Sequence, residues 1–123
     1  MNRAGQWTTI AMSSASLIAA SLLLIGEPRA AQGKGSPEAG KKIYLESCQN
    51  CHGPTGKGDS DMAAYLTPPP ANLAAKATQA KTDAQLRKII LEGRPGTAMS
   101  SYEGTFEEAQ LADLLAYVRS LKP

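Results

Sequence analysis

The pentapeptide Cys48-Gln49-Asn50-Cys51-His52 contains both cysteines of the chain, three positions apart, and its one histidine directly after them. If this segment is helical, the two thiols lie about one turn from each other and the imidazole follows immediately. A disulfide between cysteines this close would close almost no loop and would constrain the unfolded chain very little. The two cysteines therefore stabilise the domain, if they do so at all, by binding something.

Four interpretations of this pentapeptide compete. The pattern C-x-x-C-H is typical of covalent haem attachment, in which two thiols add across the vinyl groups of a porphyrin and the histidine ligates the iron. A thioredoxin-like dithiol would stand at a helix N-terminus among strands. A structural zinc ion needs four ligands, and the fourth would have to be a carboxylate. The last interpretation is two unrelated free cysteines. Haem attachment through Cys48 and Cys51, with His52 as iron ligand, is the favoured prediction.

The residues before the pentapeptide predict the first principal helix. Ser36 is a good N-cap, Pro37 suits the first helical position, and the helix should run to about Ser47, so that the cysteines end it. Gly40 lowers the helix propensity by ~1 kcal/mol relative to alanine, which makes sense if another helix crosses closely there. A tolerated surface glycine is the equally weighted alternative at this stage.

The residues after the pentapeptide predict a glycine-rich loop, a short helix from Asp61 to Leu66 and two further principal helices. The second principal helix begins with a capping box of Thr82 and Gln85 and stops at Gly93. The third is predicted to begin with a capping box of Thr105 and Glu108, and its apolar positions follow helical spacing: Leu111, Leu114, Leu115, Val118 and Leu121. The expected fold class is all-α, with long loops that something central must organise.

The N-terminal 31 residues read as an export signal. Arg3 precedes an apolar run from Ile10 to Ile25, and small residues follow at Ala30-Ala31. The run is shorter than the ~20 residues of a usual membrane span. We expect a cleaved signal peptide over residues 1–31, or a retained membrane tether through residues 8–25; residues 32–35 are a linker, and 36–123 are one domain. Either outcome places that domain outside the cytoplasmic membrane, in the periplasm.

The charge of the chain is nearly balanced, at a formal +2. A nucleic-acid partner would call for basic residues massed on one face, so we expect no nucleic acid among the partners.

Over residues 36–122 the chain resembles the class I c-type cytochromes, specifically the small bacterial mono-haem type. Beyond the pentapeptide, the resemblance rests on these features: Gly40 and Tyr44, the segment Gly53 to Asp59, the segment Pro68 to Leu73, the glycine-rich region around Met99, and the segment Leu114 to Leu121. It implies a cytochrome c-like fold around one covalent haem c. It also implies that the first and last helices cross at Gly40, with Tyr44 and Tyr117 packed at the crossing.

A second iron ligand has two candidates outside the leader, since the chain has a single histidine. Met62 lies in the predicted short helix, where a methionine commonly fills a core. Met99 lies in the loop between two well-capped helices, where the resemblance places the methionine ligand, so we predict Met99. Ser100 follows it where the family often has proline. The resemblance further implies that the second ring nitrogen of His52 bonds a carbonyl within residues 69–71, with Pro70 as the chosen residue, and that Tyr102 lies in the haem pocket.

The predicted function is that of a one-electron carrier in a periplasmic or membrane-associated chain, not an enzyme. Haem with both axial positions filled has no open place for a substrate, and His/Met ligation raises the reduction potential. We expect redox proteins as electron donors and acceptors, and a monomeric chain. Two alternatives stay open: a dedicated electron-transfer subunit of one oxidoreductase complex, and a ligand-binding haem with a labile methionine.

Overall fold

The computed structural model describes residues 34–121, and all regular structure in that range is helical. Three helices are long: α1 (Pro37–Ser47), α4 (Asp83–Glu92) and α5 (Glu108–Ser120). The short elements are α2 (Gln49–His52), a 3₁₀ helix (Asp61–Tyr65) and α3 (Lys76–Gln79). The predicted all-α class with three principal helices is confirmed.

The crossing of α1 and α5 forms the centre of the core. A Cβ atom on Gly40 would lie 1.9 Å from the carbonyl oxygen of Asp113, so only glycine allows the two backbones to approach this closely. Tyr44, fully buried, packs against Tyr117 with ring centroids 5.0 Å apart. Leu114 completes this cluster. The predicted close crossing at Gly40 is confirmed, and the surface alternative is wrong.

The long α4 packs on the other side of α5. Leu86 of α4 is buried against Leu115 and Val118, and the capping box of Thr82 and Gln85 forms as predicted. The short α3 is tied to α5 by the side-chain amide of Gln79, which donates to the Val118 carbonyl at 2.9 Å. Ser36 caps α1 by accepting a bond from the Ala39 N–H at 3.3 Å. The two caps fix where α1 and α4 begin.

The predicted start of α5 is wrong. The helix begins at Glu108, and the side chain of Gln110 accepts a bond from the Glu107 N–H at 2.9 Å. Thr105 lies instead in a preceding turn, where its N–H donates to the Tyr102 carbonyl at 3.0 Å. Glutamate is a weaker N-cap than threonine, but Thr105 is already part of the preceding turn, so the helix begins only after Glu107.

The first helix ends at Ser47, as predicted, but the separate turn that follows it was not predicted. The φ of −122° at Cys48 breaks the helical path after Ser47, and Gln49–His52 forms a separate turn.

The predicted leader, residues 1–31, and the tether within it lie outside the described residues, as do residues 32–33 of the linker. Within residues 34–121, no helix is long and apolar enough to cross a membrane.

Candidate functional site

A cavity of about 320 Å³ lies between α1, the pentapeptide, α4 and α5. This volume is within the range of small-molecule and cofactor pockets. Apolar side chains make up most of its wall, and they include Leu66, Ile89 and Val118. The long loops that lacked an organising centre in the sequence converge on this space. It is where a bulky apolar group would sit.

Both cysteines of the pentapeptide line this cavity, half-buried and with free thiols. The single turn of α2 brings them together: the Cys51 and His52 N–H groups both donate to the Cys48 carbonyl, at 3.2 and 3.0 Å. Burial, and then the proximity of Cys51, raise the pKa of the Cys48 thiol to about 11. A redox-active dithiol works through a thiolate of lowered pKa, so this environment is unsuited to it.

His52 also lines the cavity and is held by its Nδ1. That nitrogen lies 3.0 Å from the carbonyl oxygen of Ala71, and because a carbonyl can only accept, Nδ1 is the donor. The lone pair of the neutral ring therefore belongs to Nε2. Burial lowers the pKa of His52, which favours this neutral form over the cation, and the bond to Ala71 opposes the shift.

The choice of Pro70 as the acceptor for His52 is wrong; the neighbouring Ala71 supplies the carbonyl. The Pro70 carbonyl faces Gly58 instead, where an added Cβ would lie 2.5 Å from the Pro70 oxygen. The acceptor segment is held by the loop that precedes it, since the Leu73 N–H donates to the Gly56 carbonyl at 2.6 Å. Pro70 also lines the cavity.

The two candidate methionines lie in different surroundings. Met99 lines the cavity and is half-buried. Met62 is 51% exposed on the 3₁₀ helix and does not line the cavity, so it is not the core filler that its sequence context suggested. The loop of Met99 returns sharply after α4. Gly93 has a φ of +71°, and a Cβ there would lie 2.7 Å from the Met99 carbonyl oxygen.

Tyr102 joins the loop of Met99 to the end of α1. Its hydroxyl donates to the Ser47 carbonyl at 2.7 Å, and its ring stacks on Phe106 with centroids 5.3 Å apart. It lines the cavity, and burial raises its pKa, with the nearby Cys48 adding to the effect. This bond connects the residue before Cys48 to the residues after Met99.

Sequence reasoning chose the wrong residue for one group at this site and missed another. The acceptor carbonyl for His52 lies within the predicted range 69–71 but belongs to Ala71, because every residue carries a carbonyl and only the loop path selects one. Thr97 lines the cavity, and its hydroxyl bonds the backbone of Met99 at 3.1 Å. A threonine two positions before a candidate ligand is the one signal that could have identified it.

The donor set suits a porphyrin iron better than a bare metal ion. In residues 34–121, no cluster of three or more His, Cys, Asp or Glu side chains is placed to hold a metal ion, so a tetrahedral zinc site finds no ligand set there. The cavity instead combines two neighbouring thiols, a neutral imidazole and a thioether within an apolar wall. These are the groups that attach and ligate a haem c.

Comparison with known proteins agrees with this chemistry. Residues 37–122 match the sequence profile of the family described as Cytochrome c. The chain is 36% identical over 83 residues to the Cbb3-type cytochrome c oxidase subunit FixP of Bradyrhizobium diazoefficiens, an alignment that covers 67% of this chain and 26% of that protein. It is 33% identical over 84 residues to a dihydro-heme d1 dehydrogenase of Pseudomonas aeruginosa, covering 68% of this chain and 15% of that protein.

A solved structure shares the fold. One chain of the reducing HAO-like protein complex of Kuenenia stuttgartiensis aligns with a TM-score of 0.63 and 28% identity, over 72% of this chain and 44% of that one. The present chain spans about a quarter or less of the length of the two curated relatives above. The match is therefore to one part of each of those larger proteins.

Proposed function

The chain belongs to the cytochrome c family, whose cofactor is a covalently attached haem c, and we propose that it is a one-electron carrier with His/Met-ligated iron. In this proposal Cys48 and Cys51 would hold the haem covalently through two thioether bonds, and His52 and Met99 would ligate its iron. The bound haem supplies the one-electron couple between ferric and ferrous iron. The protein residues hold the haem in place and exclude competing ligands.

The observation that carries this proposal is the convergence of all four groups on one apolar cavity. The hydrogen bond to Ala71 fixes the tautomer of His52, so that Nε2 keeps the lone pair needed for iron. With both His52 and Met99 bound to it, the iron would offer no coordination position to a substrate. Electron transfer is then the chemistry that remains open to the site.

We further propose that the domain works outside the cytoplasmic membrane as a monomer, exchanging electrons with other redox proteins. Residues 1–31 support export, because a basic start, an apolar run and small residues follow one another there. In an oxidising compartment neighbouring thiols tend to form disulfides, and covalent attachment to haem would prevent this at Cys48 and Cys51. Secretion of the protein with and without residues 1–31 tests the export step directly.

The test of the site is a redox titration of the purified holoprotein followed by absorbance. The proposal predicts a single one-electron transition and, in the ferric protein, the weak methionine–iron charge-transfer band near the red edge of the spectrum. A ferric spectrum without this band would instead indicate an open or replaced sixth position, as expected of a ligand-binding haem. A colourless protein would contradict the proposal altogether.

A second candidate, a dedicated electron-transfer subunit, is favoured by the names of the relatives. One relative is named as a subunit of a cytochrome c oxidase, and the solved structure is named as a protein complex. Size-exclusion chromatography of the native extract separates the two candidates. A shuttle elutes as a free small protein, whereas a subunit co-elutes with its complex at a fixed stoichiometry.

A further inference from the structure

The residues 94–99 form a small closed loop that ends at Met99. The Arg94 N–H donates to the Met99 carbonyl at 3.0 Å, and the Thr97 N–H donates to the Arg94 carbonyl at 3.1 Å. Gly96 has a φ of +77°, a left-handed conformation that lets the chain turn back within so few residues. The backbone of Met99 is thus bound to the start of its own loop.

The side chain of Thr97 closes this loop from within. Its hydroxyl accepts a bond from the Met99 N–H at 3.1 Å and donates one to the Arg94 carbonyl at 2.7 Å. The single hydroxyl therefore uses its donor and an acceptor position together. Within residues 34–121, no other side chain hydrogen-bonds Met99.

The residue after Met99 makes this bond important. A proline there would restrict the backbone of the preceding residue to extended conformations, but this chain has Ser100. After Ser100 the chain is held by another hydrogen bond, in which the Ser101 hydroxyl donates to the Leu91 carbonyl at 2.6 Å. The backbone conformation of Met99 itself is therefore fixed by its hydrogen bonds to the Arg94 N–H and the Thr97 hydroxyl.

We propose that Thr97 is a positioning residue, whose hydroxyl holds the Met99 backbone so that the thioether stays at the iron. This inference rests on the proposed role of Met99 as sixth ligand. Met99 competes with any small ligand that reaches the iron, and a loosened loop weakens Met99 in that competition. Thr97 therefore determines how strongly the iron excludes foreign ligands, although it does not touch the iron itself.

Imidazole binding to the ferric holoprotein tests the inference. The nitrogen of imidazole takes the coordination position that the Met99 sulfur vacates, with no electron transferred, and the charge-transfer band disappears as it binds. Thr97→Val removes the hydroxyl and keeps the shape of the side chain. Since a neutral hydrogen bond contributes about 1 kcal/mol net, we expect Thr97→Val to bind imidazole about fivefold more tightly than the parent.

Two variants serve as controls, and a third is a substitute for Thr97→Val. Thr97→Ser keeps the hydroxyl and should stay within about twofold of the parent affinity. Thr82→Val makes the same substitution at the N-cap of α4, outside the cavity wall, and should lower stability by ~1 kcal/mol without changing the imidazole affinity. Thr97→Ala removes the same hydroxyl with less bulk, so it replaces Thr97→Val if that variant does not accumulate.

The outcomes separate this inference from the proposed function. If the parent shows the charge-transfer band but Thr97→Val and Thr97→Ala bind imidazole as weakly as the parent, Thr97 does not position Met99 and the inference is wrong. If Thr82→Val tightens imidazole binding equally, the effect is general loosening and the inference is also wrong. If the parent lacks the band and Met99→Ala changes nothing, the proposed ligand itself is wrong, and the inference is overturned with it.

Discussion

Gly40→Ala tests whether the approach of α1 and α5 is the contact on which the core depends. The new Cβ would lie 1.9 Å from the Asp113 carbonyl oxygen and 2.9 Å from the Leu114 nitrogen. An ordinary contact begins at 3.4 Å, so the helices must move apart by about 1.5 Å. The obstructing atoms are backbone, and backbone cannot rotate away as a flexible side chain can.

The sign of the effect distinguishes close packing from helix propensity. Propensity alone predicts that alanine stabilises α1 by ~1 kcal/mol. Overpacking of a core costs about 1–3 kcal/mol, and a clash with backbone belongs at the upper end. The separation would also loosen the contact of Tyr44 with Tyr117. We therefore expect a net loss of roughly 2 kcal/mol in the free energy of unfolding.

The assay is thermal and urea unfolding of the ferric holoprotein, followed by far-ultraviolet circular dichroism. For a domain of this size, a loss of ~2 kcal/mol lowers the Tm by roughly 8–16 °C. Lys41→Ala, at an exposed position of the same helix, is the matched control and should stay within ~0.5 kcal/mol of the parent. A Gly40→Ala protein as stable as the parent, or more stable, would refute the reasoning about the crossing.

Three further predictions concern the ligand loop and the start of α5. Met99→Ala should abolish the ferric charge-transfer band and lower the reduction potential, whereas Met62→Ala should leave both unchanged; equal effects would contradict the ligand assignment. Gln110→Ala should lower the free energy of unfolding by ~1 kcal/mol in a urea titration and Thr105→Ala by less than half of that, or the helix starts elsewhere. Tyr102→Phe leaves its carbonyl acceptor without the hydroxyl and should cost ~1 kcal/mol in the same titration; no loss would mean that the bond contributes nothing.

Local signals in the sequence predict much of this fold. The start of α1 at Ser36 and Pro37 and the capping box of Thr82 follow from side chains that bond the next few residues. The spacing of Leu111, Leu114 and Val118 gives the buried face of α5. Such features depend only on neighbouring residues, which is why the sequence alone suffices for them.

The features that were missed depend on residues distant in sequence or on the path of the backbone. The start of α5 shifted because the turn closed by Tyr102 commits Thr105 before the helix begins. The acceptor for His52 is Ala71 and not Pro70 because the glycine-rich loop determines which carbonyl faces the ring. The separate turn α2 after the predicted end of α1 was also missed, because no residue in that segment is a helix breaker that would signal a new element.

The central claim, one haem held covalently by Cys48 and Cys51, is tested most directly by the intact mass of protein matured in a host that attaches haem c. The account predicts the mass of the chain, with or without residues 1–31, plus one iron protoporphyrin, with the pigment retained by the protein in acidified acetone and recovered on the peptide that contains His52. A mass equal to the bare chain, or pigment released into the acetone, would contradict it.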